Sequence, residues 1–295
     1  MDRRDFLKAL PFIPMAVRSM DLNTFAQATR ALKPGEKMPV LFMGHGSPMN
    51  AIEDNEFTAA WEKTARDLPV PKAVLCISAH WLTRGTYVTA MEKPPTIHDF
   101  GGFPKELFDV QYPAPGSPAM AEETIRTLKS ITAQPDDHDW GLDHGAWSVI
   151  RRMYPKADVP VLQLSIDFHR PPQWHYDLGR ELAPLREKGV LILASGNMVH
   201  NLRKVAFDRI NGPEYGFDWA MEMKAKFAKH IRERNHAPLI DYTSMGEAAK
   251  LAIPTPDHYY PLLYALGLQE KTDEAVLFND KAVAGSLTMT SVRLG

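Results

Sequence analysis

Three apolar runs of this chain end in the same way, at a short turn that contains a histidine. Each run has the length of a buried strand, and small or polar residues follow it, as is typical of a loop. The runs are residues 39–42 before His45, 73–78 before His80 and 190–195 before His200. Parallel strands bring their carboxyl ends to one edge of a sheet, where open α/β sheets bind ligands. The pattern therefore predicts that the three histidines meet at that edge.

Apolar residues at helical spacing alternate with the strand-like runs along most of the chain. Predicted helices cover residues 55–68, 118–131, 171–188 and 216–235, and further strands are predicted at 86–91, 160–166, 275–278 and 286–292. Asp54 is placed to cap the first helix, and His258 lies in the first turn of a short helix that opens near residue 254. The alternation predicts one α/β domain, with a largely parallel sheet and helices on both faces.

Residues 93–118 interrupt this alternation, because they are rich in proline and glycine. A loop of this length in a compact domain is usually a lid or a binding loop. It carries His98, Phe100, Phe103 and Tyr112, so we expect it to form a wall over the ligand site. His98 is expected to touch the substrate, to gate the site or to make a hydrogen bond that structures the loop.

Composition narrows the kind of ligand. The chain has 295 residues, of which 44% are hydrophobic and 24% charged, with a formal net charge of −2. Nucleic acid is excluded as the main partner, because phosphate binding needs a basic face. The single cysteine, Cys76, lies in an apolar run, so neither an internal disulfide nor a cysteine-based zinc cluster is expected. Any transition-metal site therefore depends on histidine, which suits zinc, iron and copper alike.

An open catalytic metal site takes about three protein ligands and leaves positions for water or substrate. His45, His80 and His258 form one candidate set, with His200 as a fourth ligand or as a nearby base. Each ligating imidazole needs an acceptor on its other ring nitrogen. The remaining histidines lie in polar or charged stretches and are predicted to be on the surface; they are His138, His169, His175, His230 and His236.

The N-terminal residues are treated separately from the fold. Residues 3–8 (RRDFLK) resemble a twin-arginine export signal, but the apolar stretch that follows is short and contains two prolines. We therefore predict an N-terminal segment at residues 1–35, with a cytoplasmic location favoured and export to the periplasm as the alternative. No segment approaches the roughly 18 apolar residues that a membrane span requires.

Eight segments, taken together, resemble the bacterial DOPA extradiol dioxygenases of the class III, LigB-type ring-cleaving superfamily. They are residues 44–49 (GHGSPM), 78–81 (SAHW), 96–104 (TIHDFGGFP), 112–116 (YPAPG), 143–147 (DHGAW), 163–166 (QLSI), 194–203 (ASGNMVHNLR) and 256–259 (PDHY). The resemblance covers residues 36–295 in order. It implies a LigB-type catalytic domain there, with a single-domain, three-layer α/β/α sandwich around a central mixed, mainly parallel sheet.

The resemblance also implies one divalent metal per chain, with Fe(II) for catalysis or Zn(II) as bound in the family. The residues that match the metal site are His45, His80, His200 and His258. Superfamily relatives more often use two histidines and a glutamate, with a histidine at the position of His200 as acid or base. Here His258 stands at the position of that glutamate. Whether His200 binds metal or moves protons is therefore left open.

These features favour an extradiol dioxygenase that opens a catechol such as DOPA with dioxygen. The candidate catalytic residues are His200 as the leading base, His144 as the second and His98 in the long loop. One alternative is a zinc-dependent hydrolase that uses the same histidines to activate water. Another is a non-catalytic member of the superfamily that binds a ligand or partner. The oligomeric state is not predicted.

Overall fold

Six strands form the central sheet of the protein. The computed structural model describes residues 37–210 and 212–295, and the sheet strands are β1 (Val40–Gly44), β2 (Ala73–Ser78), β3 (Val161–Gln163), β4 (Val190–Gly196), β5 (Ala275–Phe278) and β6 (Ser291–Leu294). Their order across the sheet is β3-β2-β4-β1-β6-β5. The pairs β3/β2, β2/β4 and β4/β1 are parallel, whereas β6 is antiparallel to both β1 and β5. The prediction of a mixed, mainly parallel sheet is confirmed.

The register of β1, β2 and β4 brings their carboxyl ends level. Gly44 pairs with Gly196, and Ser78 pairs with Ser195. The backbone N–H of His45 then donates to the carbonyl of Gly196 at 3.1 Å. The chain segments that carry His45, His80 and His200 therefore leave the sheet at one edge, as the strand pattern predicts.

Two apolar layers enclose the sheet, because alternate residues of each buried strand point to opposite faces. Val40 and Phe42 of β1 face one layer, and Leu41 and Met43 face the other. The first layer is covered by the helices Pro118–Thr127, Pro172–Glu181, Asp218–Arg232 and Tyr260–Gly267, and the second by Glu56–Asp67 and His144–Met153. Burial on both faces explains why the strand sequences are continuously apolar. The three-layer α/β/α arrangement is confirmed.

Shorter elements connect these layers. The remaining α-helices are Lys105–Phe108, Ala183–Glu187, Ala237–Ile240 and Glu247–Ala252, and the 3₁₀ helices are Pro48–Ala51, Leu202–Lys204, Phe207–Arg209 and Tyr242–Met245. Three small strand pairs are Leu82–Thr83 with Ile166–Asp167, Tyr87–Thr89 with Gln134–Asp136, and Ala282–Val283 with Leu287–Thr288. None of the helices within the described ranges is both long and apolar enough to cross a membrane. The predicted segment 1–35, with its twin-arginine-like residues, lies outside the described residues.

Several helix boundaries differ from the predictions. The helix predicted at 118–131 ends at Thr127, and the helix predicted to open near residue 254 begins at Tyr260, so His258 precedes it and is not in its first turn. Asn55, not Asp54, caps the first helix: its side chain accepts from the N–H groups of Phe57 and Thr58, and Thr58 completes a capping box. Both residue types are good caps, so the threonine three positions later decides between them. The predicted helix 171–188 is two helices that meet at Leu182, because Pro184 has no N–H to continue the first.

His175 and His236 are buried, so the prediction of a surface location is wrong for both. The Nε2 of His175 lies 3.2 Å from the carbonyl oxygen of Arg170, and its Nδ1 lies 3.1 Å from the hydroxyl of Tyr264. Burial lowers the pKa of His175 to about 4, so the ring is neutral at pH 7. Its polar sequence neighbours belong to the solvent-facing side of the same helix.

A buried ion pair joins the segment before β5 to the segment before β1. The guanidinium of Arg186 holds Asp273 through two contacts, at 2.7 and 3.2 Å, and its Nε donates to the carbonyl of Met38 at 2.8 Å. Burial raises the pKa of the Asp273 carboxyl, but hydrogen bonds from Arg186 and from the backbone of Glu270 outweigh burial and hold the pKa below its ordinary value.

We expect Asp273→Asn to lower the free energy of unfolding by about 3–5 kcal/mol, because the buried guanidinium loses its buried counter-charge and keeps only the exposed Glu270 carboxylate at 3.8 Å. The Asp273 carboxylate stabilises the fold at neutral pH, and this contribution is lost as the pH falls through its folded-state pKa. Urea unfolding at pH 7 and at lower pH measures both effects. Glu247→Gln, which breaks an exposed pair with Lys250, is the control and is expected to change stability by less than about 1 kcal/mol. If the two variants were equally stable, the Arg186–Asp273 pair would not stabilise the fold as expected.

Candidate metal centre

His45 is buried at the end of β1, with its ring held by β4. Its Nδ1 lies 3.0 Å from the hydroxyl of Ser195, and that hydroxyl donates to the carbonyl of Gly145 at 2.6 Å. Because the serine hydroxyl donates its only proton to that carbonyl, it can only accept a hydrogen bond from His45. Nδ1 must therefore carry the ring proton. The Nε2 of His45 therefore presents a lone pair away from the sheet.

His80 faces His45 from the loop after β2. Its Nδ1 lies 3.3 Å from a carboxylate oxygen of Asp99, so that nitrogen carries the proton. The Nε2 atoms of His80 and His45 are 3.3 Å apart. Two lone pairs facing each other at this distance repel, and a cation between them removes the repulsion.

His258 reaches the same place from the loop before the last helix. The backbone passes so close to β4 that a Cβ on Gly196 would lie 2.2 Å from the carbonyl oxygen of His258. Only glycine fits at that position. The Nδ1 of His258 contacts the carboxylate of Asp257, which leaves Nε2 free. One nitrogen each of His45, His80 and His258 lie within 4.8 Å of one another.

These three imidazoles fit a divalent transition metal. Burial and the neighbouring histidines lower the pKa of His45 well below its ordinary value, and burial likewise lowers that of His80. Both rings are therefore neutral at pH 7, as metal ligation requires. Each of the three has an acceptor on its other ring nitrogen, which fixes the tautomer. The acceptors are Ser195, Asp99 and Asp257.

His200 lies beside this group and not within it. Its ring stacks on that of His258, with centroids 3.6 Å apart and an angle of 8° between the planes. One ring nitrogen of His200 lies within 4.8 Å of ligand atoms of Asp257 and His258, but His200 does not belong to the set that His45, His80 and His258 form. Burial and the adjacent His258 lower the pKa of His200 to about 3. The ring is therefore neutral at pH 7.

His144 begins the helix His144–Met153 on the other side of His80. Asp143 caps this helix, and its carboxylate also accepts from Ser78 at 2.6 Å. The rings of His144 and His80 have centroids 3.9 Å apart. This packing depends on Gly145, where a Cβ would lie 2.8 Å from the His80 ring.

Asp99 joins His144 to His80. One of its oxygens lies 3.0 Å from Nδ1 of His144 and 3.3 Å from Nδ1 of His80, while the other accepts from the backbone N–H of His144 at 2.9 Å. Burial raises the pKa of Asp99, but its hydrogen bonds with His144 outweigh burial and lower the pKa to about 2. The carboxylate is therefore charged at pH 7.

The long loop lies over the histidines, as its aromatic residues predict. Phe100 and Phe103 line the same cavity as the metal-site histidines. His98 does not line it: its Nε2 lies 2.9 Å from the carbonyl oxygen of Val110, and its ring packs against Phe100 and Trp147. Of the three roles considered for His98, the contacts match the hydrogen bond that structures the loop.

A cavity of 590 Å³ opens above the three-histidine group, within the size range of small-molecule sites. Its lining residues are His45, Gly46, Ser47, Pro48, His80, Asp99, Phe100, Gly101, Gly102, Phe103, His144, His200, Leu202, Val205, Phe207, Ile210, His258 and Leu287. Five histidines are thus gathered at one cavity. All the candidate site residues except His98 are among its lining.

Sequence reasoning missed the acceptors and the outer wall. Asp257 adjoins His258 in the chain, so its role was open to inference from sequence adjacency. Asp99 and Ser195 act across 19 and 150 positions, respectively, and nothing in the pattern pairs them with a histidine. The apolar residues of 202–210 alternate with four charged residues, so the sequence shows no apolar run there.

We expect Asp99→Asn to lower metal affinity or kcat by about 10–100-fold, because the amide supplies no charge to hold the N–H groups of His80 and His144. Metal titration and steady-state rates measure the change. The matched control is Asp109→Asn in the same loop, where the carboxylate is exposed and pairs only with Lys105 among the described contacts. If Asp99→Asn had the same metal affinity and the same rate as the control, Asp99 would not orient His80 and His144.

Comparison with known proteins agrees with this geometry. The family model described as the catalytic LigB subunit of aromatic ring-opening dioxygenase matches residues 38–292. A relative from Escherichia coli K12, named 4,5-DOPA dioxygenase extradiol, is 48% identical over 88% of this chain and 95% of its own. A relative of the same name from Beta vulgaris is 36% identical over 85% of this chain and 94% of its own.

A solved structure shares the fold. The crystal structure of an uncharacterized protein from Escherichia coli K12 superposes with a TM-score of 0.73 at 42% identity, and the match covers 88% of this chain and 100% of that one. The family model spans nearly all of the described residues, including every histidine of the cavity. The chain therefore belongs to the LigB family of aromatic ring-opening dioxygenases and is an enzyme of the oxidoreductase class.

Proposed function

We propose that this enzyme is an extradiol dioxygenase that opens a catechol ring at one divalent metal held by His45, His80 and His258. The observation that carries the proposal is the meeting of three imidazoles at the floor of a cavity, with two further histidines beside them. The names of the relatives support the reaction class and make DOPA the first substrate to try.

Iron(II) is the metal proposed for turnover. Three imidazoles suit iron and zinc equally, but zinc has no redox chemistry and dioxygen must be reduced. When bound, iron(II) would supply Lewis acidity toward the two catechol oxygens and would pass electrons from the catechol to dioxygen. The overall reaction places both atoms of dioxygen in the product as one carbon–carbon bond of the ring breaks, so no external reductant is required.

His200 is proposed as the base that removes a phenolic proton. It lines the cavity, it is neutral at pH 7, and it stacks directly on the ligand His258. A catechol whose oxygens reach the three-histidine group therefore has its hydroxyls beside the His200 ring. The negative charge left on the catechol stabilises the imidazolium that forms, which favours the transfer.

His144 is proposed as the second group that handles protons. Asp99 accepts from Nδ1, so the lone pair of the neutral ring is on Nε2. The Asp99 carboxylate, 3.0 Å from Nδ1, fixes this tautomer and leaves Nε2 as the atom that can take up a proton. His200 and His144 lie on opposite sides of the ligand group, next to His258 and His80 respectively.

The long loop is proposed to hold the ring and to exclude water. Phe100 and Phe103 contact each other edge to face, with centroids 5.4 Å apart, and both line the cavity. Aromatic faces stack on an aromatic substrate, and a dry cavity protects reactive intermediates from hydrolysis. His98 contributes through Phe100, since it packs on that ring and holds the loop at Val110.

Oxygen uptake after metal exchange tests the proposal. The protein is loaded anaerobically with iron(II) or with zinc, and dioxygen consumption is followed with catechol and with DOPA. We expect one dioxygen per ring opened with iron(II) and no uptake with zinc. Catechol-independent ester or amide hydrolysis by the zinc form would indicate the hydrolase instead. Binding of catechol by the iron(II) form without turnover would indicate a non-catalytic protein.

A further inference from the structure

Strand β5 leaves one edge of the central sheet open. It pairs with β6 on one side, and no described strand pairs with it on the other. Its sequence, AVLF, contains neither a charged residue nor a proline, which are common means of blocking an edge. The side chain of Val276 is 41% exposed. An apolar edge of this kind is a template for another strand.

The opposite edge of the sheet, at β3, is closed by the chain itself. The backbone N–H of Val161 donates to the carbonyl of Pro115 at 2.8 Å, and the N–H of Gln163 donates to the hydroxyl of Thr89 at 2.8 Å. The residues that follow the long loop and the neighbouring strand pair therefore cover β3. Among the described residues, β5 has no such cover.

The alternation of an antiparallel ladder shows which backbone groups of β5 are open. The N–H of Gly295 donates to the carbonyl of Glu274 at 3.1 Å, so these two residues form a hydrogen-bonded pair. Every second residue from Glu274 onward therefore turns its N–H and C=O toward β6. The residues between them, Ala275 and Leu277, turn theirs to the open edge, and no described backbone hydrogen bond uses them.

These open groups are complementary to a second copy of themselves. When two copies meet antiparallel about a two-fold axis at Val276, Ala275 of one copy lies opposite Leu277 of the other. Both residues turn outward, so each such pair exchanges two N–H···O bonds. Val276 then faces its own copy at a non-hydrogen-bonded position, where opposed side chains are closest. The contact that satisfies the backbone therefore also covers the exposed valine.

The residues that flank the strand exclude the neighbouring registers. An axis at Leu277 needs Asn279 in the ladder, but Asn279 has a φ of 51°, in the left-handed region, and ends the strand. An axis at Ala275 needs Asp273, whose N–H already donates within its own turn at 3.1 Å. An axis at Val276 keeps every hydrogen-bonded residue within the strand.

A groove beside this edge leaves room for a second copy. It has a volume of 200 Å³ and lies between β5 and the helix Glu56–Asp67. The residues that line it are Ala60, Lys63, Thr64, Asp67, Val276, Phe278 and Arg293. Two of the four helix residues are small, and the charged side chains are of both signs. Neither bulk nor a field of one sign therefore opposes the approach of an identical surface.

We propose that β5 is a self-association surface, at which two copies of this chain join edge to edge into one continuous sheet about a two-fold axis at Val276. The same residues of both copies form the interface, as two-fold symmetry requires. No residue of β5 lines the histidine cavity, so the inference is independent of the proposed function. Because the paired edge is short, we expect monomer and dimer to exchange at micromolar concentrations.

Sedimentation velocity of the full chain over a concentration series tests the association. The wild-type protein is expected to shift from monomer to dimer as its concentration rises. Val276→Lys is expected to raise the Kd of the dimer at least about tenfold, because it removes an apolar contact and places like charges directly opposite each other. Val70→Lys makes the same change at a valine that is 80% exposed and lies outside β5, and it is expected to leave Kd unchanged.

Two results of that experiment overturn the proposal. One is a wild-type protein that stays monomeric at every concentration, which would indicate that another segment or another protein covers the edge. The other is a Val276→Lys variant that dimerises as well as Val70→Lys does. Circular dichroism of both variants confirms that the comparison is made between folded proteins.

Cysteine cross-linking tests the register and does not depend on a weakened variant. The axis brings the two copies of Val276 opposite each other, within the roughly 7 Å between Cα atoms that a disulfide allows, and keeps the two copies of Phe278 out of reach. The native Cys76 is buried. Mild oxidation is therefore expected to join two chains of Val276→Cys and not of Phe278→Cys. Equal cross-linking of the two variants, or faster cross-linking of Phe278→Cys, overturns the proposed axis.

Discussion

Replacing His45 or His80 with alanine is expected to remove the bound metal and to lower kcat/KM on the order of 10³-fold, while the domain stays folded. Each side chain supplies one of three ligands, and the metal provides several kcal/mol of transition-state stabilisation. The fold is expected to survive because both residues leave the sheet at its edge, whereas the apolar layers lie within it. Metal analysis of the purified variants, with circular dichroism as the folding check, measures both parts.

The control for these variants is His138→Ala. His138 is exposed and contacts only its neighbours Asp137 and Asp139 through its side chain among the described contacts, so its loss is expected to change neither metal content nor rate. Full metal occupancy in His45→Ala and His80→Ala would contradict a metal site formed by the three histidines. Loss of metal together with loss of the folded signal would require the milder His45→Gln and His80→Gln, which keep more of the side-chain volume.

Replacing His200 with glutamine is expected to leave iron(II) bound and to lower kcat by about 10²–10⁴-fold, the usual contribution of a general base. The expectation follows from the geometry, since His200 stacks on His258 and lies outside the group of three nitrogens that converge. Glutamine keeps a polar side chain of similar length but cannot take up a proton. Metal content and kcat are measured on the same preparation.

His144→Gln distinguishes the two candidate bases. If His200 is the main base, its variant loses more of kcat than His144→Gln does, and both retain the metal. If His200→Gln instead loses iron in parallel with activity, His200 is a ligand and His144 becomes the better candidate for the base.

The strand-end histidines were predictable because the register of a parallel sheet is a local consequence of buried apolar runs. Gly44, Ser78 and Gly196 end their strands at one level, so any histidine just beyond them arrives at the same edge. The class of the fold follows from the same runs and from the helices between them. The spacing of apolar residues is therefore enough to predict the fold class and the meeting of these histidines.

The orientation of those histidines was not predictable from the pattern. Asp99 holds His80 from the long loop at residues 93–118, and Ser195 holds His45 from a strand in which the sequence gives the serine no distinguishing feature. The approach of His258 depends on the missing side chain of Gly196. These contacts are set by tertiary packing, which hydrophobic spacing does not encode.

The same limit explains the smaller errors. Asp54 and Asn55 are both capping residues, and only the contact with Thr58 selects Asn55. His175 sits among polar neighbours in the sequence but faces Tyr260 and Tyr264, which arrive from a distant helix. A histidine with two buried partners cannot be told from a surface histidine without knowing which helix packs on it.

Isotopically labelled dioxygen tests the central claim most directly. The iron(II)-loaded enzyme is allowed to open unsubstituted catechol under labelled dioxygen in ordinary water, and the product is analysed by mass spectrometry. We expect a ring-opened product whose new carboxyl group carries label from dioxygen. A product whose new oxygen comes only from water, or an unopened ring with dioxygen unconsumed, would contradict it.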